Sequence, residues 1–177
     1  MSHAVPRAVV AWALMGGIGA RLPPVVRCVE SELPALHLFL SGKARMIVKD
    51  SIEGAARRLA KPTCQGIFDQ FTDVAGHPLA DKLAEWGKTP ADAMASLYFV
   101  EGDSSAQCRT DETTAAFTVP HSRVVHVCGT RFADRFARKT AGGEVLMIHE
   151  LLHALGLGEN PPTSAQVTAA VWSRCSR

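Results

Sequence analysis

Two histidines near the carboxyl end of the chain have the spacing of metal ligands. His149 and His153 are separated by three residues, in a segment whose apolar pattern predicts a helix from Glu144 to Leu155. Helical side chains four positions apart differ by roughly 40° around the axis, so both imidazoles can reach one ion. Because imidazole nitrogen is a preferred zinc ligand, the pair predicts two ligands of a zinc site.

Glu150 lies between the two histidines and is predicted to have a different role. It projects roughly 100° away from His149 around the helix, which does not suit a third ligand. Its carboxylate can instead reach a metal-bound water and take its proton, since zinc lowers the pKa of that water. Glu150 is therefore predicted to be the general base of a hydrolytic reaction. In the alternative interpretation, the histidines of this helix are ordinary core residues.

A third protein ligand is needed to complete such a site. Beyond the two histidines the chain contains no other His or Asp, and its single Glu is Glu159, after the glycines of Gly156-Leu157-Gly158. These glycines can turn the chain back toward the metal, and a carboxylate is a good zinc ligand. Glu159 is the candidate, with an exposed loop acid as the alternative. Asn160 is a weaker donor, and His121 or His126 would have to arrive from upstream.

The remaining pattern predicts helices around a small sheet, an α+β fold. Strands are predicted at Ser96–Val100, Ala115–Val119 and Arg123–Cys128, the last two as a hairpin. Helices are predicted from Ala44 to the stop at Pro62, at Ile67–Phe71, Pro78–Trp86 and Arg131–Arg138, from the Thr89-Pro90 cap to Met94, and from Thr163 or Ser164 to Arg174. A break at Thr140–Gly143 is predicted before the site helix.

The composition is that of a globular chain. Of 177 residues, 47% are hydrophobic and 20% are charged. With 19 basic and 17 acidic side chains, the net charge of +2 indicates no strongly basic face. Nucleic acid and anionic membrane surfaces are therefore not expected partners. A monomeric state is expected.

The N-terminus has the pattern of an export signal. Residues 8–20 read AVVAWALMGGIGA and carry no charge. This stretch is too short to cross a bilayer but is typical of the apolar region of a signal peptide. Residues 1–20 are therefore predicted to be a signal peptide, with a secreted or periplasmic destination and no membrane span in the mature protein. A buried helix is the alternative.

Cysteine usage favours the same compartment. None of the five cysteines forms a C-x-x-C pair, so a thiolate zinc site is not indicated. Four of them fall in the predicted domain and permit two disulfides. The pairing hypothesis is Cys64–Cys108 with Cys128–Cys175, and free cytosolic thiols are the alternative.

The segment HELLHALGLGE resembles the active-site helix of the zincin metallopeptidases. Its H-E-x-x-H-x-x-G-x-x-E pattern has the spacing of the metzincin branch, with Glu159 where that branch usually has His. The resemblance implies that His149, His153 and Glu159 bind zinc, that Glu150 is the general base and that Gly156 forms the turn. The reaction it implies is hydrolysis of peptide bonds in a peptide or protein substrate.

The resemblance also implies a small sheet packed on the active-site helix. Arg123–Cys128 is the candidate for the edge strand that binds an extended substrate. No methionine follows Glu159, so the methionine turn of metzincins is missing, as is the Glu-bearing second helix of gluzincins. Candidates for an additional electrophile are Tyr98, His121, Arg123 and His126.

The predicted organisation has three parts. Residues 1–20 are the signal peptide, residues 21–43 a linker or propeptide-like segment with an apolar patch at Leu36 to Leu40, and residues 44–177 the zincin-like domain. A further hypothesis makes residues 21–60 an inhibitory prosegment with Cys28 as a metal-blocking thiolate. The functional alternatives are a secreted zinc-containing binding module without catalysis and a metallohydrolase acting on a non-peptide amide.

Overall fold

The structure, a computed structural model, describes residues 35–176, which form four strands and eight helices. The strands are β1 (His37–Phe39), β2 (Tyr98–Glu101), β3 (Ala116–Thr118) and β4 (Val124–Val127). The helices are α1 (Gly42–Leu59), α2 (Pro62–Gln65), α3 (Leu79–Glu85), α4 (Pro90–Ala95), α5 (Ala106–Thr110), α6 (Gly129–Phe136), α7 (Thr140–Ala154) and α8 (Ser164–Cys175). The predicted signal peptide and Cys28 lie outside the described residues.

The strands form one mixed sheet in the order β1-β2-β4-β3. Strands β1, β2 and β4 are parallel, and β3 runs antiparallel to β4 at an edge. The predicted α+β class and the hairpin of β3 and β4 are therefore confirmed. Strand β1 was not predicted, because three residues are too few to show a period and their partner, β2, is distant in the sequence.

One face of the sheet packs on helices. Leu38, Phe99, Val125 and Val127 alternate with more exposed neighbours along their strands and are at most 9% exposed. This period of two is expected where one sheet face is buried. Helix α7 contacts α1, β3 and β4, so it lies between the sheet and the rest of the helical layer.

Helix α7 begins at Thr140, so the predicted break at Thr140–Gly143 is wrong. Glycine lowers helix propensity by about 1 kcal/mol relative to alanine, which is why a break was expected. Here, however, a Cβ at Gly143 would collide with the Ser51 side chain of α1. The missing side chain allows α1 and α7 to approach closely, and this packing outweighs the local propensity.

Helix α1 belongs to the core of the fold. Val48 and Ile52 are fully buried, and α1 packs on α4, α6 and α7. The Arg58 Nε–H donates to Glu144 Oε2 of α7 at 2.5 Å. A prosegment covering residues 21–60 would have to include this core helix, and that hypothesis stays a prediction.

Two disulfides join distant elements. Cys64–Cys175 links α2 to α8, and Cys108–Cys128 links α5 to the residue before α6. The predicted pairing is wrong because sequence spacing does not determine connectivity, whereas the packing of α2 beside α8 does. Disulfides of this kind suggest an oxidising, extracytoplasmic environment. Among the described residues, no helix combines the length and apolar character needed to cross a membrane.

Most of the predicted helices are confirmed, and two begin at the predicted caps. The Thr89 side chain accepts from Asp92 N at the start of α4, with Pro90 as the first helical residue. Thr163 and Gln166 form a capping box at the start of α8. The predicted helix at Ile67–Phe71 consists of turns instead.

Candidate metal centre

Helix α7 carries both predicted histidine ligands on one face. His149 and His153 are only 3% and 5% exposed. Their Nε2 atoms lie 2.9 Å apart, so the two rings point to one place. The structure thus brings the rings together as the helical spacing predicts.

The other nitrogen of each ring has its own hydrogen-bond partner. His153 Nδ1 lies 2.7 Å from Leu157 O, and His149 Nδ1 lies 2.9 Å from Thr168 Oγ1. A carbonyl oxygen only accepts, so the neutral His153 ring carries its proton on Nδ1 and its lone pair on Nε2. When the Thr168 hydroxyl accepts from Nδ1–H of His149, the lone pair of that ring is also on Nε2. The Nε2 lone pairs of the two histidines then face the same point. Their repulsion at this distance is removed by a cation that both can bind.

The turn after α7 brings Glu159 to the two imidazoles. Gly156 has a φ of +112°, a conformation that favours glycine, and a Cβ there would collide with His121. Glu159 Oε1 lies 3.3 Å from His153 Nε2 and 3.7 Å from His149 Nε2. The three potential ligand atoms all lie within 4.8 Å of one another. Together they form a group that could hold a metal ion.

The surroundings of Glu159 favour its charged form. The hydrogen bond with His149 lowers the pKa of this carboxyl below its usual range, and the nearby His153 imidazole acts in the same direction. Partial burial opposes them, but the Glu159 side chain remains 39% exposed. Glu159 is therefore held as a carboxylate, the form that binds metals.

Glu150 is buried beside this group and has the opposite electrostatic environment. It is 2% exposed, and burial raises the pKa of its carboxyl although His149 and His153 partly oppose this. The Thr118 side chain interacts with the Glu150 carboxyl and slightly opposes the rise of its pKa. By the geometry of a normal hydrogen bond, however, neither Glu150 Oε2 nor Thr118 Oγ1 has a partner among the described residues. A buried oxygen without a partner is uncommon and is typical of a group whose partner is a bound water or ion.

The site opens into a cavity of about 870 Å³. Its walls are formed by α7, by β3 with its flanking residues, by α8 and by parts of α5 and α6. The lining is mixed in polarity. Its apolar residues include Val145, Leu146 and Trp172, and its charged residues include Asp111, Arg135 and Lys139.

Strand β3 is the edge strand that lines this cavity. The prediction that Arg123–Cys128 would be the edge is wrong, because β4 has β2 on one side and β3 on the other. The sequence could not distinguish the two strands of the hairpin. The pairing of β2 with β4 rather than with β3 decides which strand of the hairpin is internal.

The open edge of β3 presents backbone groups beside the site. Cys128 N donates to Ala115 O, and the register pairs Phe117 with His126 two residues further on. Hydrogen-bonded pairs alternate in an antiparallel ladder, so Ala116 and Thr118 direct their backbone N–H and C=O groups away from β4. An extended chain can pair with groups of this kind.

The other candidates do not contribute side chains to the cavity, although the His121 backbone N–H donates to His153 O at 3.1 Å. None of the four residues predicted as an additional electrophile lines it: Tyr98, His121, Arg123 and His126. The Tyr98 ring stacks on His37, and the Arg123 guanidinium lies over the Trp86 ring. Neither His121 nor His126 belongs to the group of potential metal ligands.

Sequence reasoning missed two threonines of the site, Thr118 and Thr168. Thr118 faces Glu150 from β3, and Thr168 contacts His149 from α8. A single hydroxyl has no characteristic spacing in a sequence. Only the packing of β3 and α8 against α7 could have identified these residues.

A search of the chain against protein-family models finds no match, and searches of curated proteins and of solved structures find no significant similarity. The site itself therefore carries the indication of a function, through three converging potential ligands, the buried carboxyl beside them and the cavity in front.

Proposed function

We propose that this protein is a zinc-dependent peptidase of the zincin type, with His149, His153 and Glu159 as the ligands. The observation that carries the proposal is the convergence of these three groups beside the buried carboxyl of Glu150. Two imidazoles and one carboxylate form a ligand set typical of catalytic zinc, because they leave a coordination position open.

The chain's own residues account for the proton transfers. A bound zinc ion supplies Lewis acidity, which lowers the pKa of a water molecule and polarises a carbonyl group. Glu150, in its ionised form, accepts a proton from the attacking water and passes it to the leaving amine. Its raised pKa makes the carboxylate a stronger base than an exposed one. His149 and His153 keep their Nε2 atoms directed to the ion because their Nδ1 atoms are hydrogen-bonded.

The cavity favours an extended peptide over a small amide. Ala116 and Thr118 direct backbone groups to the open edge of β3, where a substrate strand can add to the sheet. Val145, Leu146 and Trp172 supply apolar walls for substrate side chains, and Trp172 is 40% exposed there. A small amide would use neither the strand edge nor these walls.

The test combines metal analysis with substrate profiling of the purified protein. The expected result is about one zinc ion per chain and cleavage of peptides, lost with a chelator and restored by zinc. Hydrolysis of small amides without any peptide cleavage would favour the non-peptide amide hydrolase. Bound zinc with no hydrolysis of either class would favour the binding module.

The proposed location is outside the cytoplasm. The two disulfides support it, because such bonds persist in oxidising compartments. Secretion or a periplasmic location would give the peptidase access to extracellular or envelope proteins. Detection of the mature protein outside the cytoplasm, with both disulfides formed, is the measurement that checks this.

A further inference from the structure

Helix α8 contacts the candidate ligands from outside α7. Thr168 Oγ1 lies 2.9 Å from His149 Nδ1, and the Ser164 side chain interacts with Glu159. Ser164 and Thr168 are four positions apart, so they share one face of α8. The helix therefore turns two hydroxyl groups toward two of the three potential ligands.

The two histidines differ in how firmly their tautomers are determined. The carbonyl of Leu157 only accepts, so it selects the Nδ1–H form of a neutral His153. A threonine hydroxyl can donate or accept. The orientation of the His149 ring therefore depends on Thr168, and metal binding at Nε2 requires that this hydroxyl accept from Nδ1–H.

The surrounding structure fixes the position of Thr168. Val167 and Val171 of α8 are fully buried in the core on either side of it in the sequence. Cys175 at the end of the helix is disulfide-bonded to Cys64, and its carbonyl accepts from Arg58 Nη1 at 2.6 Å. Helix α8 is thus held in place against α7 by the cap at its start, by its buried face and by the disulfide at its end.

We propose that Thr168 is a positioning residue, whose hydroxyl orients the His149 imidazole for metal binding. The inference rests on the proposed zinc site and adds to it a residue from a different helix. Hydrogen bonds to the second nitrogen of a ligating histidine fix the ring and raise its basicity. Thr168 performs this function through His149 and need not touch the ion or the substrate.

The decisive measurement is the zinc affinity of Thr168→Val, determined by competition with a chelator. Valine keeps the shape of threonine and removes the hydroxyl, so the zinc dissociation constant is expected to rise roughly 10- to 100-fold. Thr168→Ser, which restores a hydroxyl, is expected to bind within a few-fold of the unchanged protein. Equal affinity of the valine variant and the unchanged protein would overturn the proposal.

A matched control separates positioning from stability. Val171→Ala also alters α8, but it removes buried packing and leaves the contact with His149 intact. It is expected to lower the Tm of the metal-free protein while zinc affinity stays unchanged. A loss of zinc affinity as large as that of Thr168→Val would show that α8 acts only through stability and would overturn the proposal.

Failure of the proposed function has a different signature. If the unchanged protein does not bind zinc in the chelator competition, the metal site itself is wrong. If it binds zinc and only the effect of Thr168→Val is absent, the metal site stands and the positioning role is wrong.

Discussion

Glu150 and Glu159 have the same side chain, yet the site gives their carboxyl groups opposite electrostatic environments. Burial raises the pKa of Glu150, while the neighbouring imidazoles lower the pKa of Glu159. A base that must take a proton and a ligand that must stay charged require this difference. The proposed roles of the two residues therefore follow from where each carboxyl lies.

Replacing Glu150 by glutamine tests the general base. Glu150→Gln keeps the size of the side chain but cannot accept the proton, so kcat should fall by at least about 100-fold. Zinc content should stay unchanged, because Glu150 is not a ligand in this proposal. Peptide hydrolysis and metal content are measured together, with Glu85→Gln on exposed α3 as the control. Retained activity in Glu150→Gln would exclude this mechanism.

Replacing Glu159 by glutamine tests the third ligand. An amide is neutral and a weaker donor, so zinc affinity should fall by more than the roughly 10- to 100-fold typical of residues outside the first coordination sphere. Asn160→Ala is the matched control, because Asn160 is the adjacent alternative donor and should leave the affinity unchanged. Chelator competition measures both variants. A loss confined to Asn160→Ala would reverse the assignment.

At the scale of elements, the close approach of α1 and α7 holds the site helix on the core. Gly143 has no side chain where α1 presents Ser51, and the Arg58–Glu144 ion pair joins the same two helices. The side chains of this pair are only 17% and 15% exposed. The packing therefore fixes the beginning of α7, about two to three turns of helix before His149 and His153.

Gly143→Ala should destabilise the metal-free protein by about 1–3 kcal/mol, because the added methyl collides with Ser51. In a Ser51→Gly background the collision is absent, and alanine should instead stabilise the helix by up to about 1 kcal/mol. The free energy of urea unfolding is measured for the unchanged protein, the two single variants and the double variant, and it gives the coupling energy between positions 51 and 143. A cost of Gly143→Ala that is the same in both backgrounds would show that the two side chains do not meet.

The sequence predicts local features of these elements better than their partners. Features that depend on residues close in the sequence were predicted. They are the pair of histidines on α7, the helix caps at Thr89 and Thr163, and the hairpin of β3 and β4. The start of α7 at Thr140 depends on contacts with α1, and the internal position of β4 depends on its pairing with β2. Such contacts between distant segments have no local pattern.

At the scale of the whole molecule, the disulfide pairing also depends on contacts between distant segments, which the local sequence does not reveal. Four cysteines allow three connectivities, and only the fold selects Cys64–Cys175 and Cys108–Cys128. Cys64–Cys175 joins residues 111 positions apart and closes most of the described fold into one loop. Cys108–Cys128 spans 20 positions and closes only the segment that contains β3 and β4.

The two bonds should therefore differ in their contribution to stability. Chain-entropy arguments give about 4.8 kcal/mol for the long loop and about 3.3 kcal/mol for the short one. Cys64→Ser with Cys175→Ser should thus destabilise the protein by roughly 1.5 kcal/mol more than Cys108→Ser with Cys128→Ser. Urea unfolding is measured on metal-free protein, because bound zinc would add its own stabilisation. A larger loss from the short-loop pair would mean that local packing around α5, rather than chain entropy, determines the contribution of each bond.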